Sequence, residues 1–174
     1  MAAKDLKEKT CCLSGHRNLT DVDVGSLRMH IEEAVSVLID SGYRYFGVGG
    51  ARGFDMEATD VLLHLRDTKY PEIRIILVLT CENHKSNWEQ FDIARNRLLM
   101  SKANKVKVLN KEWHKGCELE RDRLLVDQSS FLLCWCTQEK GGTAYTKRYA
   151  EKCGLWIRNL AGNNHCPFEN IETS

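Results

Sequence analysis

Nothing in this sequence approaches the roughly 20 consecutive apolar residues that a membrane-spanning helix needs. Residues 1–9 are polar and lack the apolar core of a signal peptide. The expectation is a cytoplasmic protein with no membrane partner. An excess of one charge is also lacking: 25 basic residues stand against 24 acidic ones, a formal net charge of +1. That balance gives no global electrostatic case for nucleic acid, although a local basic patch would be hidden in it. The familiar phosphate signatures are missing too. Glycines 47, 49, 50 and 53 do not spell G-x-G-x-x-G, and no Gly-Lys-Ser/Thr triplet occurs, which disfavours an ordinary nicotinamide dehydrogenase and a P-loop NTPase. Paired zinc-ligand spacing is absent from His114-Lys-Gly-Cys117 and from Cys134-Trp-Cys136. Neither a metal nor a cofactor is expected.

Cysteine, by contrast, is plentiful. The eight cysteines at 11, 12, 81, 117, 134, 136, 153 and 166 include an adjacent pair and several strand-like positions, so they are expected to be reduced and packed as small hydrophobes. With 174 residues, 43% hydrophobic and 28% charged, the chain suits one folded domain. Short apolar strands alternate along it with helical periodicity. Strands are expected at 11–14, 43–48, 73–79, 105–109, 131–136 and 155–157, and the five successive apolar residues at 75–79 mark the third as covered on both faces. Helices fall between them: Val24, Leu27, Ile31, Val35 and Leu38 recur at helical spacing, residues 54–67 follow the same period before Pro71, and 119–127 and 143–153 complete the set. Ser86-Asn-Trp-Glu89 has the spacing of a capping box, with Phe91, Ala94 and Leu98 continuing a helix behind it. Such alternation implies an α/β, Rossmann-like, open and mostly parallel sheet with helices on both faces. Residues 161–174, with Gly162, two asparagines and Pro167, are expected to be surface coil.

Ligands of open parallel sheets sit beyond the carboxyl ends of the strands, and four loops there carry chemistry. Ser14-Gly15-His16-Arg17 follows the first strand, the stretch FGVGGARGFD carries Gly49, Gly50, Arg52, Gly53 and Asp55 after the second, residues 80–84 follow the third, and Lys140-Gly141-Gly142-Thr143 follows the fifth. Glycines between a strand and a helix let backbone N–H groups approach an anion while the helix dipole favours its charge. Arg52 offers a bidentate partner for phosphate or carboxylate. Each glycine loop alone is as well explained by a tight turn. Asp55 is a candidate to orient Arg52, to hold a ribose hydroxyl or, in the plainest reading, to cap the helix that starts at Phe54. His16 and Arg17 are candidates to reach a phosphate. Among the remaining charged residues, Arg121 is a binding candidate. Glu82 and Asp127 are candidate catalytic carboxylates, able to stabilise positive charge developing at a ribose, although such residues more often sit in surface ion pairs. Trp88 either stacks on a base or packs in the core with Phe91.

The motifs CLSGHR at 12–17, GGARGFD at 49–55, CELERDRLLVDQSS at 117–130 and GGTAYTKRYA at 141–150 together resemble the YspA-like branch of the SLOG superfamily. That Rossmann-like group also holds the Lonely-guy phosphoribohydrolases and the DNA-processing protein A family. The resemblance runs over about residues 10–158 and implies a pocket for a nucleotide or nucleotide-derived small molecule. The pocket would be built from Gly15, His16 and Arg17, from Gly49, Gly50, Arg52, Gly53 and Asp55, from Gly141, Gly142 and Thr143, and from Arg121, with Asp127 matching the motif before the fifth strand. A sensor role is proposed for many members. Members often show Pro where Thr80 stands, Gln at His84 and Asn at Asp122. The Lonely-guy catalytic glutamate has no counterpart in Gly141-Gly-Thr-Ala-Tyr-Thr146, so hydrolase activity does not carry over. Binding or sensing of a nucleotide-derived molecule therefore leads. An N-glycosidic hydrolase or transferase is the first alternative and single-stranded DNA binding the second. Nucleic acid is the less favoured partner, and turnover and homo-oligomer formation are left open.

Overall fold

The structure is a computed structural model and describes residues 3–162. The coil expected over 161–174 therefore lies, apart from its first two residues, outside the described residues. So does Cys166. Twelve elements follow in order: α1 (Ala3–Glu8), β1 (Thr10–Gly15), α2 (Val24–Asp40), β2 (Tyr45–Val48), α3 (Phe54–Thr68), β3 (Arg74–Cys81), α4 (Gln90–Lys102), β4 (Lys105–Asn110), α5 (Cys117–Asp127), β5 (Phe131–Trp135), α6 (Gly142–Lys152) and β6 (Trp156–Asn159). The six strands form one sheet in the order β4-β3-β2-β1-β5-β6. Every pairing is parallel, with Cys11 opposite both Phe46 and Phe131.

Residue alternation along the strands assigns the two faces. Cys11, Leu13, Phe131 and Leu133 join α2, α3 and Leu99 of α4 in one apolar cluster. Cys12, Leu132 and Cys134 point the other way and pack with α5 and α6 through Leu125, Val126 and Ala150. The helices of each layer also pack on one another, α2 on α3 and α5 on α6. Helix α2 shows why the sequence folds this way. It buries Leu27, Ile31, Ala34, Val35 and Leu38 as one stripe, its N-cap Asp23 accepts a bond from the Ser26 N–H, and it stops before Gly42 at φ +103°. The outer strands are blunted: β4 carries Lys105 and Lys107 exposed at one edge, and Trp156 of β6 is half exposed at the other.

Two expectations about helices need correction. Residues 83–88 form successive turns closed by Ser86 N–H to Asn83 O and Trp88 N–H to Lys85 O. Helix α4 starts only at Gln90, with an extended Glu89 as N-cap and no side-chain capping bond, so the capping box is not made. The three apolar residues do lie on a helix, but the packing of Phe91 in the core with Trp88 is not made. Phe91, Ala94 and Leu98 point outward, Phe91 being 76% exposed, while α4 buries Asn96 and Leu99. Residues 3–8, polar in sequence, form helix α1, which buries none of its residues and is joined to β1 by the Thr10 hydroxyl bonded to Leu6 O.

Candidate functional site

The chain builds outward from β1 through β2 and β3 to β4, then returns to place β5 and β6 on the other side of β1. The loops after β1 and β5 therefore diverge, which opens a crevice at the carboxyl edge of the sheet. A cavity of about 1030 Å³ lies there, and Ser14, Gly15, His16, Arg17, Gly49, Asp55, Arg121, Gly141, Gly142 and Thr143 all line it. Gly50, Arg52 and Gly53 do not. Glu82 is exposed and bonds through its backbone to Asn110 O. Asp127 ends α5, next to the amino end of β5, and is therefore at the far edge of the sheet, where it accepts a 2.8 Å bond from the Tyr149 hydroxyl. Neither of these two carboxylates lines the cavity.

The glycines divide into two kinds. In the loop after β2 they let protein pack on protein. A Cβ on Gly49 would stand 2.8 Å from the Arg121 guanidinium and from Asp55 Oδ2, and one on Gly53, whose φ is +71°, would stand 2.3 Å from the Arg17 carbonyl. The Phe54 N–H, bonded to His16 O at 3.0 Å, ties the same two loops together. At Gly141 and Gly142, a Cβ would meet nothing within 4 Å. These two open α6, whose first turn has no side-chain cap, so its N–H groups and positive dipole end border the cavity.

Beneath the floor runs a buried ionic network. Arg121 is 7% exposed and donates from Nη1 to Gly49 O at 2.7 Å and from Nε to Asp122 Oδ1 at 2.8 Å. Asp122 Oδ2 in turn accepts from the Thr146 hydroxyl at 3.0 Å. Asp55 does not cap α3, since the N-cap is Gly53. Its Oδ2 instead accepts the Ala51 N–H at 3.1 Å. Burial pushes the Asp55 carboxyl up to about 6, against the opposing pull of the Arg121 charge and the Ala51 N–H. His16 Nε2 accepts the Thr137 N–H at 2.9 Å, which leaves the proton on Nδ1, and burial lowers its pKa. Its ring, set edge-on to Trp135 at 5.4 Å, thus braces the β1 loop against the β5 loop as a neutral imidazole. Arg17 is exposed and forms no ion pair among the described residues.

Arg52 faces a second, smaller cavity of about 60 Å³, lined also by Thr80, His84, Trp88 and Trp113. Its guanidinium lies over the Trp88 ring at 5.7 Å, with Asp92 at 4.0 Å. Arg17, Ala51, Glu118 and Arg121 line both cavities. Lys140 of the loop after β5 lines the cavity too, as do Glu118, Asp122 and Thr137, which were not among the candidate site residues. A signal existed for Glu118 and Asp122, because 118, 121 and 122 share one face of α5 at i, i+3 and i+4. Thr137 likewise follows β5 at the carboxyl edge.

Among the described residues, no group of three or more His, Cys, Asp or Glu is arranged to hold a metal ion, and no helix is long and apolar enough to cross a membrane. Residues 14–155 match the YspA SLOG family. A UPF0398 protein of Shouchella clausii is 27% identical over 119 residues, which cover 67% of this chain and 63% of that relative, so the match spans less than two thirds of the relative's length. A UPF0398 protein of Lysinibacillus sphaericus is 20% identical over 132 residues, covering 74% of this chain and 73% of that protein. Among solved structures, DNA processing protein A of Helicobacter pylori, studied for its single-stranded DNA binding mode, superposes with a TM-score of 0.61 at 19% identity, over 93% of this chain and 71% of that one. DNA processing protein A of Streptococcus pneumoniae superposes with a TM-score of 0.64 at 15% identity, over 91% of this chain and 52% of that one. At these identities the two structures are evidence of a shared fold.

Proposed function

The chain belongs to the YspA SLOG family, and from that premise we propose that it binds or senses a nucleotide or nucleotide-derived small molecule in the large cavity. One observation carries the reading. Gly141 and Gly142 leave open space at the uncapped start of α6, on the wall of a cavity large enough for a nucleotide. Thr143 adds a hydroxyl there, and Arg17, free of protein ion pairs among the described residues, supplies mobile positive charge from the β1 loop. The ligand phosphate sits at the α6 amino end, and the buried Asp55–Arg121–Asp122 network holds the floor rigid beneath it.

Native mass spectrometry of the protein as purified, followed by calorimetric titration with nucleoside mono-, di- and triphosphates, tests this. A retained nucleoside phosphate or a saturable heat is expected, and the absence of both refutes the reading. Single-stranded nucleic acid is the second reading, supported by the likeness to two DNA processing proteins, one of them studied for single-stranded DNA binding. Binding of an oligonucleotide without binding of any mononucleotide would favour it. Hydrolysis of an N-glycosidic bond would appear as free base on chromatography. Glu82 and Asp127 line neither cavity, so a carboxylate for that chemistry would have to come from those that line the large one, Asp21, Asp23, Asp55, Glu118 and Asp122.

A further inference from the structure

The loop after β3 holds a group with no use in the fold. His84 Nδ1 lies 3.1 Å from Cys81 O and, facing a carbonyl, must be the nitrogen that donates. His84 Nε2 is then an acceptor. It is shut off from solvent and has no hydrogen-bond partner among the described residues. A buried acceptor left unpaired costs on the order of 1–3 kcal/mol, so this atom, on a side chain that lines the small cavity, calls for an N–H or O–H donor. The surrounding side chains call for a flat ring. Trp88 meets the His84 ring edge-on at 5.4 Å. Trp113, which also lines the cavity, is 57% exposed, yet its indole N–H is tied to Glu118 Oε1 at 3.0 Å, which restrains the ring.

Resting on the nucleotide reading above, we propose that the small cavity is the base subsite of the same ligand. The donor-bearing edge of the base enters toward His84 Nε2, the ring lies against Trp113, and the phosphates remain in the large cavity. Three observations favour a base edge here over a phosphate. An unpaired acceptor repels an anion. Two of the three arginines in the wall are engaged, Arg121 with Gly49 and Asp122 and Arg52 over Trp88, and the third, Arg17, also lines the large cavity, where the phosphates are placed. The volume of about 60 Å³ admits an amino or amide edge, roughly the space of two waters, and leaves the rest of the ring outside on the exposed tryptophan. The wall common to both cavities, Arg17, Ala51, Glu118 and Arg121, lets one molecule span them.

The test is calorimetric titration of the wild-type protein and the His84→Phe variant with ADP, GDP, CDP and UDP and with inorganic pyrophosphate. At least one nucleoside diphosphate should bind the wild type more tightly than pyrophosphate does. His84→Phe keeps a ring beside Trp88 but removes the acceptor, and should weaken that nucleotide about tenfold while leaving pyrophosphate unchanged. Equal affinity of His84→Phe and wild type for all four nucleotides, with pyrophosphate still bound, overturns the subsite and leaves the nucleotide reading standing. Failure of the wild type to bind either pyrophosphate or any nucleotide overturns both. Trp113→Ala changes an exposed side chain and serves where His84→Phe does not fold. It should selectively weaken the preferred nucleotide, and unchanged binding overturns the proposal.

Discussion

Gly142 is where ligand and fold can be separated by one methyl group. Its φ is not in the left-handed region and a Cβ there meets nothing within 4 Å, so Gly142→Ala should leave the free protein as stable or add about 0.4–1 kcal/mol. It should nonetheless lower affinity for a bound nucleotide, because the new methyl borders the proposed anion site. Thermal unfolding without ligand and calorimetry with it check the two halves. Gly49→Ala should behave oppositely and destabilise by roughly 1–3 kcal/mol in chemical denaturation, since its Cβ would press on Arg121 and Asp55. Asp55 supplies a pH test. Its folded carboxyl titrates at about 6, above its ordinary 3.8, so between those values the folded chain holds a proton that the unfolded chain has lost. Stability therefore falls as pH rises through that window, by on the order of 2–3 kcal/mol at full ionisation. Urea denaturation from pH 4 to 7.5 should show this loss in the wild type and not in Asp55→Asn, and parallel profiles would rule it out. At this scale the sequence was informative about which residues gather and less so about which way they face. Ten of the candidate binding residues line one cavity because strand-to-helix loops of a parallel sheet share an edge. Arg52, between Gly50 and Gly53, both at positive φ, turns to Trp88, and Asp55 turns inward to Ala51, and glycine spacing does not encode those directions.

Elements with a continuous buried stripe were readable, and those without one were not. Helices α2 and α3 show the core period directly, whereas α4 buries little beyond Asn96 and Leu99, and its Phe91, Ala94 and Leu98 lie on the outer face. What holds α4 in place is largely polar. Asn96 donates to Gly50 O at 3.1 Å, and Arg95 donates to Glu57 of α3 at 2.7 Å, the same carboxylate that takes Arg28 of α2 at 2.7 Å. One carboxylate thus clamps three helices. Both arginines are about a third exposed, so solvent screens the pairs. Glu57→Gln should cost about 1–2 kcal/mol, with the difference from wild type shrinking as salt is raised in guanidine-free denaturation. A salt-independent difference would mean that packing and not charge is lost.

For the molecule as a whole, the α/β class and the sheet were the most legible features, because hydrophobic period and alternation of elements determine them jointly. That the sheet is wholly parallel follows once every strand is separated from the next by a helix. Amide hydrogen exchange should follow this layout, slowest in β1, β2 and β5, none of whose residues is exposed, and faster in β4, half of whose residues are exposed. Uniform protection across all six strands would contradict it. The central place of β1 also bears on how the chain comes to fold. β1 lies third from the β6 edge and has its register with β2 at Cys11–Phe46 and with β5 at Cys11–Phe131. During synthesis it can acquire its first neighbour early, but the second is not made until residue 131 exists. Through that interval the strand destined for the middle of the sheet presents a bare row of N–H and C=O groups. Closing so distant a pair is slow. The vulnerable species of this protein is thus its own nascent chain, with an open seam along β1 that invites pairing with another copy until β5 arrives to seal it.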